Sequence, residues 1–208
     1  MKKKKFDIAV KIIRASLLIA LALAIYRLNW ITLLISIATL GLTYFPHWFE
    51  HKYKIKIPLD FEFAIIFFVY AALFLGEVQN FYNLFWWWNI LMHAASAVAL
   101  GFVGFVIMYV INGANIIKTK PIWITFFAFC FAVSIGAIWE IFEFAMDQVF
   151  GINMQKTGLI DTMWDLIVDC LGALLAVLAG YFFLKGDQKS YLSKLMNLFI
   201  KDNINVKN

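Results

Sequence analysis

The sequence predicts an all-α, polytopic membrane protein: a bundle of six transmembrane helices followed by a C-terminal amphipathic helix. Three observations carry this. The chain of 208 residues is 63% hydrophobic and only 15% charged, against about a quarter charged in a soluble domain. Its apolar residues fall in six blocks, each long enough to cross ~30 Å of hydrocarbon. Its lysines and arginines crowd into alternate connections, as the positive-inside rule requires of a multi-span chain.

The first block runs from about Val10 to Tyr26. It follows the basic run Lys2 to Lys5, but no small-residue cleavage site comes after it, so it reads as a retained span rather than a signal peptide. The second runs from about Trp30 to Phe45 and is expected to stop before Pro46, because proline disfavours helix at the residue before it. The third follows Pro58 and runs from about Phe61 to Leu75; the fourth spans about Trp87 to Ile111. The fifth begins after Pro121 and reaches about Met146, and the sixth runs from about Asp161 to Leu184. These make a transmembrane domain over residues 1–185. Residues 186–208 form a separate tail in which Tyr191, Leu192, Leu195, Met196, Leu198 and Phe199 fall near helical spacing with Lys194 and Lys201 between them, the pattern of a helix lying on a membrane leaflet.

Basic residues set the orientation. The N-terminal segment, the connection at Lys52, Lys54 and Lys56, the connection at Lys118 and Lys120, and the tail hold sixteen of them; the opposite side holds Arg27 and Lys156. We therefore expect a multi-pass protein of the cell (plasma) membrane with both termini cytoplasmic. This distribution also explains the net charge of +5 without nucleic acid as a partner; membrane lipids are the expected surroundings.

Against this frame the acidic residues stand out. Glu77 ends the third block, Glu140, Glu143 and Asp147 close the fifth, and Asp161, Asp165 and Asp169 open the sixth, with His93 about two turns into the fourth. All belong to outward-facing ends. At 1.5 Å per residue, Asp165 lies about 6 Å and Asp169 about 12 Å below the start of the sixth block, with His93 about 9 Å below Trp87 and Glu140 about 10 Å below Asp147. Ionisable groups at membrane depth are costly and default to a functional reading. Asp161, Asp165 and Asp169 repeat at i, i+4, i+8, Glu140 and Glu143 at i, i+3, and Asn89 and His93 at i, i+4, so each set occupies one helix face, expected to point into the bundle. Small residues (Ala97, Gly101, Gly104, Gly136, Gly172 and Gly180) would let these helices approach.

Several carboxylates in one partly dry pocket cannot all ionise without compensation from a cation, shared protons or a basic partner. Oxygen-rich sites suit Mg²⁺, Mn²⁺ or Ca²⁺, and a histidine shifts the preference toward Mn²⁺, Fe²⁺ or Zn²⁺. We single out His93, Glu140, Glu143, Asp165 and Asp169 as candidate metal ligands, His93, Glu140 and Asp165 as candidate catalytic groups, and Glu77, Asn89 and Asp161 as supporting residues. Plainer roles compete. Asp161 suits a helix N-cap, Asp147 a solvated loop, and Glu77 an interfacial cap. Glu140 and Glu143 sit where the helix dipole disfavours negative charge, so helix electrostatics do not account for them. The run from Phe81 to Trp88 reads as an interfacial aromatic belt. His47 and His51, beside Glu50, read as surface residues. Cys130 and Cys170 fall within different spans and read as buried structural thiols.

At these residues the chain resembles the YjdF-type (DUF2238-like) integral membrane proteins and, more distantly, VanZ-like proteins associated with teicoplanin resistance. The matching stretches are Leu75-Gly76-Glu77, Trp88 to His93, Trp139-Glu140-Ile141-Phe142-Glu143, and Asp161 to Asp169 with Gly172-Ala173. The resemblance covers about Ile57 to Tyr181, implies a six-helix membrane fold and groups His93 with the acids; it brings no established reaction. Where the family pattern resembles WD-x-x-x-H, this chain has Asn89, an amide that can ligate or donate but cannot act as a base. Three functional readings follow. The lead is a cell-envelope enzyme acting on a lipid or lipid-linked substrate with a divalent metal (Mg²⁺, Mn²⁺, Ca²⁺ or Zn²⁺) or an acid–base pair. The others are a cation- or proton-coupled transporter and a non-catalytic lipid-binding or scaffold protein.

Overall fold

A computed structural model of the chain describes residues 2–113, 118–186 and 191–203. The side chains of Lys2, Tyr191, Leu192, Ser193, Leu195 and Asp202 lie outside the description, so the apolar stripe expected through Tyr191, Leu192 and Leu195 lies outside it too, as do Lys189 and Lys207. The described residues are mostly helical, with no strand among them. Six helical stretches are long and apolar enough to cross a membrane: Lys3–Tyr26, Trp30–Tyr53, Leu59–Val78, Trp88–Asn112, Pro121–Phe150 and Leu159–Leu184. The protein is an all-α, multi-pass membrane protein. The chain divides into two compact units, Met1–Trp88 with Phe199–Asn208, and Asn89–Leu198.

The first unit opens with α1 (Lys2–Tyr26) and α2 (Trp30–Leu42). The turn between them places Leu28 in the left-handed region, φ 53°, and Asn29 caps α2 by accepting the Thr32 N–H at 3.1 Å. Arg14 of α1 closes the other end of α2. Its guanidinium donates to Thr43 Oγ1 at 3.1 Å and to the Thr43 carbonyl at 3.0 Å, and it stacks over the Tyr44 ring. A cation at a helix C-terminus meets both the free carbonyls and the dipole. Helix α2 ends short of Pro46, as expected, while the apolar stretch continues through α3 (Phe45–Tyr53). Pro46 is buried in the first turn of α3, where a missing N–H costs no hydrogen bond.

Helix α4 (Leu59–Val69) continues without a break into a π-helical stretch, Tyr70–Val78. The wider winding shows in the bond from the Gln79 N–H to the Phe74 carbonyl, 2.9 Å, and it carries the third span past its expected end at Leu75. Val10, Ile13 and Leu17 of α1 pack with Ile66 and Phe74 as the unit's apolar core. Ser16 Oγ donates to the Tyr70 hydroxyl across it at 3.0 Å. A one-turn helix α5 (Phe81–Leu84) carries the aromatic run. Phe81 packs edge-on against Trp88, which is buried, while Trp86 is 82% exposed.

The second unit is built from α6 (Trp88–Gly113), α7 (Pro121–Phe150) and α8 (Leu159–Leu184), with α9 (Tyr191–Asn203) beginning beyond them. Its helices meet through small side chains. Ala97, Ala128, Ala132, Ala173 and Ala176 are at most 1% exposed. A Cβ on Gly172 would lie 2.9 Å from both the Ala94 carbonyl and the Ala97 methyl, and one on Gly101 would lie 2.8 Å from the Ala176 methyl. Such contacts let backbones approach where no hydrophobic effect drives helices together. Large apolar residues such as Ile138, Ile141 and Leu175 point outward, as they should toward lipid. Cys130 is exposed on that face rather than buried, and Cys170 is half-buried.

Candidate functional site: a buried histidine among carboxylates

The three long helices of the second unit each contribute to one polar cluster. Helix α6 supplies Asn89 and His93, α7 supplies Glu140, and α8 supplies Asp165 and Asp169. His93, Glu140, Asp165 and Asp169 are all buried, the two aspartates at 2% exposure. The i, i+4 spacing along α6 and along α8 stacks one residue above the other, so the cluster has two tiers. In the upper tier the Asn89 amide donates to both oxygens of Asp165, each at 2.8 Å. In the lower tier His93 Nδ1 lies 3.3 Å from Asp169 Oδ1. Between them, His93 Nε2 faces Asp165 Oδ2 at 3.6 Å and Glu140 Oε1 at 3.8 Å.

Two features of this arrangement matter chemically. With an ion bound, Asp169 would accept from His93 Nδ1–H and leave Nε2, which faces Glu140 and Asp165, free to ligate. A carboxylate behind a histidine whose other nitrogen is free is the arrangement that orients histidine ligands at metal centres. Second, Glu140 Oε1 and Oε2 and Asp169 Oδ2 are buried without a hydrogen-bond partner of ordinary geometry among the described residues. Buried carboxylate oxygens are expected to be satisfied. One ligand atom each from His93, Glu140 and Asp165 lie within 4.8 Å of one another, so these three residues could hold a metal ion.

The remaining candidates fall elsewhere. Glu143, one turn beyond Glu140, is half-buried, lies outside that trio and accepts a hydrogen bond from Trp139 Nε1 at 2.9 Å. Asp161 is half-buried in the first turn of α8; the residue before the helix is Gly158, so Asp161 complements the dipole rather than capping the end. Glu77 is exposed near the end of the π-helical stretch of the first unit.

Two residues gain roles that sequence spacing did not give them. A Cβ on Gly136 would lie 2.2 Å from Asp169 Oδ2, so the missing side chain on α7 is the slot that admits the Asp169 carboxylate. Asp147 organises the connection from α7 to α8. Its carboxylate accepts the Met154 N–H at 2.6 Å and the Gln155 N–H at 2.9 Å. The Gln155 amide then donates to the Thr162 hydroxyl at 2.7 Å. A glycine four residues after the aspartate, Gly151, was the available sequence signal for a built helix end, and it takes φ 64° there.

The chain's similarities agree with this architecture. A relative from Thermotoga maritima, described only as an uncharacterized protein, is 29% identical over 132 residues, which is 61% of this chain and 65% of the relative. The match thus spans just under two thirds of that relative's length. No solved structure matches. A family model described as a predicted membrane protein (DUF2238) matches residues 8–186, nearly the whole span of the six membrane helices, and the chain belongs to that family.

Proposed function

We propose that this protein is a cell-envelope enzyme in which His93, Glu140 and Asp165 hold a divalent cation and act on a lipid or lipid-linked substrate from the outer leaflet. The observation that carries the reading is the trio of donors from three helices together with the unpartnered oxygens of Glu140. Neighbouring ligands of a divalent ion stand about 3.0–3.4 Å apart. The observed 3.6 and 3.8 Å from His93 Nε2 to the two carboxylates approach this spacing, and the three ligand atoms, all within 4.8 Å of one another, would draw together on an ion. Three protein donors leave positions open for water or substrate, the mark of catalytic rather than structural metal sites.

Each residue has a part. Asp169 keeps the His93 lone pair aimed at the cation, Asn89 holds Asp165 in place, and Glu140 supplies a buried carboxylate facing His93 Nε2. The cation, when bound, would polarise a substrate oxygen and lower the pKa of a bound water. Glu143 sits beside the cluster on the same helix, half-buried and steadied by an indole that is itself 46% exposed, where it can meet a headgroup. The charge asymmetry of sixteen basic residues against two supports placing both termini in the cytoplasm and the site toward the outside of a plasma membrane.

The test is turnover. Purified protein in nanodiscs is incubated with envelope lipid extract, and headgroup release is followed by mass spectrometry. Wild type should turn over one lipid class in a manner abolished by chelation, and His93→Ala and Glu140→Gln should lose it. Cation or proton flux in proteoliposomes that needs Asp169, without turnover, would replace this reading with a coupled transporter. Chelation that lowers the melting temperature, with neither turnover nor flux, would replace it with a structural cation site.

A further inference from the structure

The first unit carries a second pair of metal-type donors, remote in sequence from the buried cluster. His47 and His51 stand at i and i+4 on α3, so their side chains leave the same face of the helix. Their ring centroids are 4.6 Å apart, and both residues are exposed. Two imidazoles that share an ion at about 2.0–2.1 Å each place their ligating nitrogens about 3.3 Å apart. Adjacent rings with this centroid separation reach that distance by side-chain rotation alone, with no movement of the helix. The residues also spell His47-Trp48-Phe49-Glu50-His51, the H-x-x-E-H order in which a helix of some metallopeptidases presents two histidine ligands and a glutamate base.

The glutamate decides which part of that likeness holds. Glu50 Oε1 accepts the Ile57 N–H and ties the segment after α3 back to the helix, so the carboxylate is spent on the chain rather than directed at a substrate. Glu62, in the first turn of α4, lies within electrostatic reach of Glu50, His47 and Arg14. Lys52, Lys54 and Lys56 follow directly and are exposed, which puts this end of the second span where ions from water can reach it. Imidazole nitrogens select the later first-row ions, with Cu²⁺ above Ni²⁺ and Zn²⁺, and are poor ligands for Mg²⁺ and Ca²⁺.

We infer that His47 and His51 form a surface-accessible, non-catalytic binding site for a borderline divalent transition ion. It shares no residue with the buried carboxylate-rich cluster. The inference does not depend on the enzymatic reading.

Tag-free full-length protein in detergent is titrated with Cu²⁺ at neutral pH and examined by electron paramagnetic resonance. The chain has three histidines and the buried cluster contains one, so coordination by two imidazole nitrogens in a His93→Ala variant can come only from this pair. If His93→Ala does not fold, the same signal is read in wild type and its loss in His47→Ala. The expected result is a two-nitrogen spectrum that persists in excess Mg²⁺ and Ca²⁺. Either His47→Ala or His51→Ala should weaken Cu²⁺ binding at least tenfold. A one-nitrogen spectrum, or binding that neither substitution changes, overturns the inference.

Discussion

Asn89 donates through one amide nitrogen to both oxygens of Asp165, so it restrains that carboxylate without adding charge. An aspartate there would set two carboxylates face to face, an arrangement that requires a cation or a shared proton. Asn89→Asp should therefore strengthen divalent-cation binding by about tenfold or more, the scale of groups that support metal ligands, and make the melting temperature more sensitive to chelation; isothermal titration with Mn²⁺ checks both. Gly136 makes an opposite case. Its replacement by alanine drives a methyl into Asp169 Oδ2, and the carboxylate can escape only by letting go of His93. Overpacking of this kind costs about 1–3 kcal/mol, so Gly136→Ala should lower the melting temperature and weaken cation binding together. A variant that binds as wild type does would show that Asp169 does not orient His93. The spacing of Asp161, Asp165 and Asp169 made all three readable as one stripe with Asp161 in a supporting place, but not which nitrogen of His93 each of the other two meets. That pairing depends on which helix faces each turn. Residue i+4 drifts ~40° around the axis, enough to leave Asp161 half-exposed while Asp165 and Asp169 are buried.

At the scale of elements, α6 and α8 position the site through paired i, i+4 residues, and small side chains allow the helices to close upon it. This much was legible, because carboxylates inside an apolar block admit few faces. Helix α7 was less so. Glu140 and Glu143 at i, i+3 are displaced by ~60° around the helix, and only Glu140 enters the cluster, while Glu143 bonds to Trp139 on its own helix. The placement of Gly136 opposite Asp169 was beyond sequence reasoning, since it depends on the register between two helices. The end of the second helix before Pro46 was legible; the further helix that Pro46 opens was not, because proline stops a helix in its interior yet starts one without loss. Asp147 was read as a solvated loop residue because its partners are backbone groups seven and eight residues away. Those bonds predict that Asp147→Ala leaves two loop N–H groups without their acceptor at a cost of about 2 kcal/mol. Faster limited proteolysis between Gly151 and Gly158, with the cluster itself intact, is the expected readout.

For the whole molecule, the pattern of six apolar helices and its charge asymmetry were available from composition and spacing alone, since both are set by the bilayer rather than by side-chain detail. The proposed orientation predicts that a cysteine placed at Lys156 reacts with a membrane-impermeant maleimide in intact cells, while one at Lys54 reacts only after lysis; Cys130 and Cys170 are replaced beforehand. The reverse pattern would put the buried cluster on the cytoplasmic side and remove the outer-leaflet substrate. The account's central claim is narrower than any substrate: His93, Glu140 and Asp165 are ligands of one ion. Elemental analysis of purified, tag-free protein after equilibration with Mn²⁺ or Zn²⁺ and removal of free metal tests it most directly, with His47→Ala, His51→Ala as the background that silences the surface pair. The account predicts about one ion per chain in that background and a loss of at least tenfold in occupancy on adding His93→Ala or Glu140→Gln. No stoichiometric metal, or occupancy that survives both substitutions, would contradict it.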